Sequence, residues 1–294
     1  MKSRVSKRKL SEWVTGYAFV LPNVAGLAIF VFIPIVYAFY VSLHSWDILG
    51  PKVFIGLDNY RELAGDTRWW NSVGRTALFT VVYVPLLFVS ALFFAVVLNA
   101  LSARFVNIVR TLYLLPFAIT SIISAVIWVF LMDPRYGYIN QFLKLVGLPA
   151  QPFLGSTSQA LMSIVVVLLW INLGYNMMIF LATIKDIPKD YYEAANIDGA
   201  TAWQSFRYIT FPLLRGISIF IVVVTTIASF QVFDQIHVMT KGGPANATEV
   251  SVLYIYRQAF EFLNMGYASA LAVVLFAIIF IFSIVQLRLY TAKN

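Results

Sequence analysis

Residues 186–215 read DIPKDYYEAANIDGATAWQSFRYITFPLLR, and this polar stretch decides how the rest of the chain is read. It spells two short helices with a sharp break between them. Asp186 suits an N-cap, and Pro188 suits a first helical turn, where its missing N–H loses no partner. Helix formers fill 188–198. Gly199 then stops the helix, because glycine takes the left-handed conformation at little steric cost. Thr201 followed by Gln204 has capping-box spacing, so a second helix starts at once. It runs to about Thr210 and stops at Pro212. Tyr192, Ala195, Trp203 and Phe206 give this elbow an apolar side. Outside a bilayer, such an elbow either docks onto another protein or is a structured loop between spans.

Around the elbow the composition is that of a membrane protein. The chain is 61% hydrophobic and 12% charged, with mean hydropathy +0.82. Several charge-free runs reach the roughly 20 residues that cross a bilayer. The absence of cysteine excludes disulfides and thiolate metal sites. From Trp13 to Ser45 there is no Asp, Glu, Lys or Arg. That run far exceeds a signal-peptide core of about 7–15 residues, so it is expected to be a retained first span. Pro22 and Pro34 should kink it. Residues 46–75 read as a polar loop whose Trp46, Tyr60, Trp69 and Trp70 suit the headgroup level. Further spans are expected at 77–100, 111–131, 160–184, 216–235 and 267–288, with Pro149, Pro152 and Gly155 marking a loop before the fourth.

The expected fold is therefore all-α: a polytopic membrane protein with six transmembrane helices. It divides into a basic tail at 1–10, a first span with its outer loop at 11–75, a core of five spans at 76–290 carrying the elbow at 186–215, and a short end at 291–294. Six spans put both termini on one side. Lys and Arg favour the cytoplasm for that side, chiefly through the tail MKSRVSKRK, and place the elbow there too. This orientation accounts for the net charge of +8 without invoking nucleic acid.

Some absences are informative. There is no G-x-x-x-x-G-K-[ST] phosphate loop, so the chain should not hydrolyse nucleotide. No metal-ligand cluster or catalytic constellation is present. The two histidines, His44 and His237, fall near outer span ends. No charge sits near a span centre, where an ion-coupled carrier usually needs one, and Asp234 should reach the outer interface. No strong internal repeat is visible. What the spans do hold at depth is uncharged and polar: Asn172, Tyr175 and Asn176 before the elbow, and Thr225, Thr226, Ser229 and, further out, Gln231 after it. These groups could line a substrate path, and Ser, Thr and Asn also bond neighbouring helices in membranes. Trp170, Thr120, Ser124 and Trp128 read as packing or interfacial.

Glu193-Ala194-Ala195, three residues, Gly199, nine residues and Ile209-Thr210-Phe211-Pro212 resemble the EAA loop of permeases in binding-protein-dependent ABC importers. The one departure is Phe211 where the motif has Leu. FIGLDNY at 54–60, LLP at 114–116, DPRYGYIN at 133–140, TKGGP at 240–244 and GYASA at 266–270 extend the likeness over nearly the whole chain, to the first sugar permease of maltose, lactose and glycerol-3-phosphate importers. The resemblance implies the type I ABC importer permease fold and a substrate path partly built from the spans flanking the elbow. It implies a coupling helix seated in a cleft of a separate ATPase. Glu193 is then the charged contact, Ala194 and Ala195 the close-packing face and Gly199 the elbow, with Asp198 beside it in the coupling set. It further implies a second permease subunit in a heterodimer, a dimer of ATPase subunits holding ATP and Mg, an extracytoplasmic sugar-binding protein, no cofactor in this chain, and a bacterial inner-membrane location with both termini cytoplasmic. Two readings of other classes are a secondary carrier driven by an ion gradient and a non-transporting membrane scaffold.

Overall fold

The computed structural model describes residues 7–291; the first six residues of the basic tail and 292–294 lie outside them. Apart from one antiparallel pair, β1 (His44–Ser45) with β2 (Val53–Phe54), the described secondary structure is helical. The described residues form two units, one of residues 7–66 with 255–275, the other of 67–254 with 276–291.

In the first unit, α1 (Lys7–Leu27) passes through a π-helical turn at Ala28–Phe32 into α2 (Ile33–Ser42). Residues 12–42 form one candidate span, with very little of it buried. The π-turn stands directly before Pro34. Proline lacks an N–H and presses on the carbonyl four residues back, and a widened turn accommodates both. After the β pair comes α3 (Asp58–Gly65). The FIGLDNY stretch finds a structural use here: the buried Asn59 amide donates to the carbonyls of Ser42 (2.8 Å) and His44 (3.0 Å). GYASA does likewise, since a Cβ on Gly266 would lie 2.0 Å from the His44 carbonyl oxygen. Only glycine permits that approach.

The second unit opens with α4 (Thr67–Asn99), 33 residues long, or about 50 Å. It begins ten residues earlier than expected, inside the stretch read as a loop. Trp69 is consequently not a headgroup anchor; it is fully buried, 6.2 Å from the Tyr254 ring. The reason lies next door. Arg68 donates through Nε and a terminal nitrogen, each at 2.8 Å, to the carboxylate of Glu249, whose side chain is completely buried. A bidentate pair of this kind fixes geometry as well as charge, and it draws the first turn of α4 against the segment before Ser251.

The span expected at 111–131 is broken. α5 (Ala103–Ala118) and α6 (Ser121–Leu131) meet at 98°. Pro116 and the extended backbone at Ile119 and Thr120 end the first helix. DPRYGYIN shapes the following loop. Asp133 Oδ1 accepts the backbone N–H groups of Arg135 and Tyr136 (2.8 Å each), which holds its carboxyl below the usual carboxylate range. Asn140 exchanges hydrogen bonds with the backbone of Gln151, both at 2.8 Å. After α7 (Tyr138–Leu145) and the expected loop, α8 (Ala160–Lys185) matches the fourth expected span within a residue. Following the elbow come α12 (Arg215–Phe230), α13 (Asp234–Met239), α14 (Ser251–Tyr256) and α15 (Met265–Thr291), the last two starting or ending across the boundary between the units. Among the described residues, four helices are long and apolar enough to cross a membrane, or six if each bent pair is one span.

The core of this unit joins α4, α5, α8 and α12. Ala91 and Ala95 of α4 meet Met177, Phe180 and Leu181 of α8, with Leu214 and Ile221 closing the cluster. Small residues let helix backbones approach where the surrounding lipid is as apolar as the side chains.

Candidate functional site

The elbow consists of α9 (Lys189–Ile197), α10 (Ala202–Ser205), a π-helical turn at Phe206–Thr210 and α11 (Phe211–Leu213). Gly199 sits at φ +77°. The N–H of Ala200 donates to the Ala195 carbonyl (2.9 Å) and that of Gly199 to Asn196 (3.1 Å), the paired bonds of a Schellman end. Thr201 and Gln204 form the expected reciprocal cap. Two expectations need correction. Asp186 is no N-cap: it closes α8, its N–H bonded to Ala182, and Pro188 takes the N-cap place of α9. The second arm also does not stop at Pro212. It continues to Leu213 and bends by 65° into α12. As at Pro34, a π-turn just ahead of the proline absorbs the lost hydrogen bond.

The elbow faces out at one end and inward at the other. Glu193, Ala194, Asp198 and Gly199 are exposed, Ala195 is half-buried, and Trp203 retains 69% of its surface. On the inner side, the Tyr192 hydroxyl bonds the Thr210 hydroxyl (2.9 Å), tying the two arms together. Phe206 packs on the core cluster, and Leu214, at the bend, is fully buried. The elbow is thus fastened to α12, and α12 leads to the second feature.

That feature is a cavity of about 330 Å³ among α4, α8 and α12. Asn172, Tyr175 and Asn176 reach it from α8, and Thr225 and Ser229 from α12. All five candidate path residues therefore line one space. Asn172 donates to the Leu168 carbonyl (3.0 Å) and is hydrogen-bonded to the Tyr83 hydroxyl; Asn176 donates to the Asn172 carbonyl (3.0 Å). Ser229 is largely engaged in packing, its Oγ 2.9 Å from Thr80 Oγ1 and 2.7 Å from the Thr226 carbonyl. Thr226 itself points elsewhere, accepting from Gln286 (3.1 Å). Trp128 and Trp170 meet edge to face at 5.6 Å outside the lining, with Ser124 and Thr120 also outside it.

The α5–α6 bend explains a wall residue that sequence reading missed. It leaves Phe117 at the cavity, stacked on Tyr175 with ring centroids 4.7 Å apart and planes within 10°. Pro116 followed by Thr120-Ser121 was the available signal for that break. Tyr83, on α4, had no such signal. The fifth span, expected over 216–235, ends at Phe230 instead. Non-helical backbone at membrane depth is tolerated where it lines a cavity, and Gln231, Val232 and Phe233 do so, followed by Asp234 and Gln235 at the start of α13. Gln235 is held by a hydrogen bond to Ser121 at the head of α6. Asp234, expected at the outer interface, lines the cavity. Among the described residues no cluster of His, Cys, Asp and Glu could hold a metal ion.

A family model described as binding-protein-dependent transport system inner membrane component matches residues 63–292. The chain belongs to this family. As a member it is a multi-pass membrane permease, a transport subunit and not itself an enzyme, which leaves the scaffold and the ion-coupled carrier unsupported. The chain is 35% identical to the trehalose/maltose transport system permease protein MalF of Thermococcus litoralis over 96% of each chain. It is 32% identical to the lactose transport system permease protein LacF of Rhizobium radiobacter over 99% of this chain and 98% of that one. A solved bacterial ABC transporter involved in importing the acidic polysaccharide alginate has a chain matching 99% of this permease with TM-score 0.86 at 22% identity. That likeness concerns the fold: this is an ABC importer permease fold.

Proposed function

We propose that this permease forms half of the membrane path of an ATP-driven sugar importer and takes mechanical work through its elbow from a separate ATPase. The observation that carries the reading is the cavity, where polar and aromatic side chains from the spans on both sides of the elbow converge. A sugar offers hydroxyls and apolar C–H faces. Amides such as Asn172 and Asn176 suit the first, and rings such as Phe117 and Tyr175 suit the second. Relatives named for trehalose/maltose, lactose and starch degradation products support a saccharide cargo.

The coupling runs as follows. A dimer of ATPase subunits holds ATP and Mg. Glu193 supplies a charged contact to one of them, Ala194 and Ala195 let the two surfaces approach, and Asp198 and Gly199 form the turn. Closure of the ATPase dimer pulls the elbow. The Tyr192–Thr210 bond keeps its arms together, and Phe206 and Leu214 pass the movement to α12, which carries Thr225 and Ser229. A second, different permease completes the path, and an extracytoplasmic binding protein delivers the sugar. The excess of Lys and Arg in the tail and elbow side supports cytoplasmic termini, and the family description supports an inner-membrane location.

Asn172→Ala removes one hydrogen-bonding group from the path, a loss of about 0.5–1.5 kcal/mol, so sugar uptake should fall roughly two- to thirteenfold. Tyr175→Ala, which breaks the stack on Phe117, should act in the same direction. Co-purification of the ATPase with either variant should not change. Uptake and specificity equal to wild type would remove these residues from the path.

A further inference from the structure

The cavity carries an asymmetry of charge. Asp234 is its one carboxylate, and no Lys, Arg or His lines it among the described residues. Asp234 is exposed at the head of α13, flanked in the lining by the amides of Gln231 and Gln235. The nearest base on the same helix, His237, stacks on Phe233 (5.0 Å, 18°) and is not part of the lining. A carboxylate and amides accept hydrogen bonds from sugar hydroxyls, and those to the carboxylate are the stronger kind. A uronate or a sugar phosphate keeps such hydroxyls but adds an anionic group that only accepts hydrogen bonds and so gains nothing from a carboxylate. That group loses hydration on entering the cavity, finds no cation in the lining this chain supplies, and meets a like charge.

We infer that Asp234 makes this cavity select against anionic saccharides, so that the cargo is a neutral glycoside or one bearing an amino group. The inference rests on the saccharide reading above and deepens it. Selection works by a repulsive element set beside attractive ones, which is how a site separates cargoes sharing one scaffold of hydroxyls. Asp234 is the specificity-determining residue; the aromatic rings and the Asn172 and Asn176 amides hold the features that neutral and acidic sugars have in common.

The test uses the permease with its native membrane and ATPase partners in lipid nanodiscs, without the binding protein, whose own selectivity would mask that of the cavity. The probes are maltotriose and trigalacturonate, equal in length and different in charge, and the readout is the ratio of their Kd values. Wild type should bind maltotriose at least about tenfold more tightly, Asp234→Asn should shrink that ratio about tenfold or more, and Asp234→Glu should keep it. Equal or tighter binding of trigalacturonate, or a ratio unmoved by Asp234→Asn, overturns the inference and leaves the saccharide reading standing. Failure of wild type to bind either probe overturns both.

Discussion

Gly199→Pro leaves the chain in the membrane and abolishes uptake. The backbone at Gly199 has φ +77°, and a Cβ there would meet nothing within 4 Å. Space is therefore not what calls for glycine; the left-handed conformation is. Proline fixes φ near −65° and has no N–H, so it cannot take the turn and cannot donate to the Asn196 carbonyl. The Schellman end opens and the direction of α9 relative to α10 changes. None of the buried core cluster is touched, so insertion and packing of the spans persist. Ala195→Trp approaches the same step from outside: it keeps the turn and holds the two surfaces apart by the bulk of an indole. Uptake of labelled sugar at matched membrane expression is the measurement, and both variants should be inactive. Normal rates in either one contradict coupling through the elbow.

Gly174→Ala should be the most damaging single-methyl change in the second unit. Its Cβ would lie 1.8 Å from the Tyr113 carbonyl oxygen and 2.4 Å from the carbonyl carbon. Alanine has no rotamer with which to escape, and the obstacle is backbone, so α5 and α8 must separate. Overpacking of this kind typically costs about 1–3 kcal/mol and sometimes more. The damage also reaches function, because Tyr175 is the next residue and its stack on Phe117 spans the same crossing. Thermal unfolding in detergent should show a lowered Tm for Gly174→Ala and an unchanged one for Gly216→Ala, where a methyl group would meet nothing within 4 Å. Equal Tm values would mean that the helices do not approach at Gly174.

Much of this was readable in the residues. The elbow's turn at Gly199 and its cap at Thr201 and Gln204 are local events, governed by φ and by side chains three residues apart, and they appear where the sequence places them. The five residues that line the cavity could be singled out because polar groups stand out in apolar spans and helical spacing sets their face. Breaks inside apolar runs were harder to see. Hydropathy is continuous across Ile119 and Thr120 and across Phe230 to Phe233, yet the chain turns at both places and the cavity owes Phe117 and Gln231 to those turns. The start of α4 was missed because its cause lies far away in sequence, in the pairing of Arg68 with Glu249. Tyr83 was invisible for a similar reason: which face of α4 meets the cavity is settled by packing against α8 and α12. The motif residues Asn59, Asn140 and Gly266, which carried the family likeness, turn out to hold loops and close approaches in place.

The central claim is that this permease moves sugar with work drawn from ATP in another subunit. Its most direct test is sugar accumulation in proteoliposomes that hold the permease with its native partners, supplied with loaded binding protein on the side of the outer loops and ATP on the side of the elbow. The account predicts accumulation that requires ATP and survives an uncoupler. Accumulation that collapses with the uncoupler and persists without ATP would contradict it.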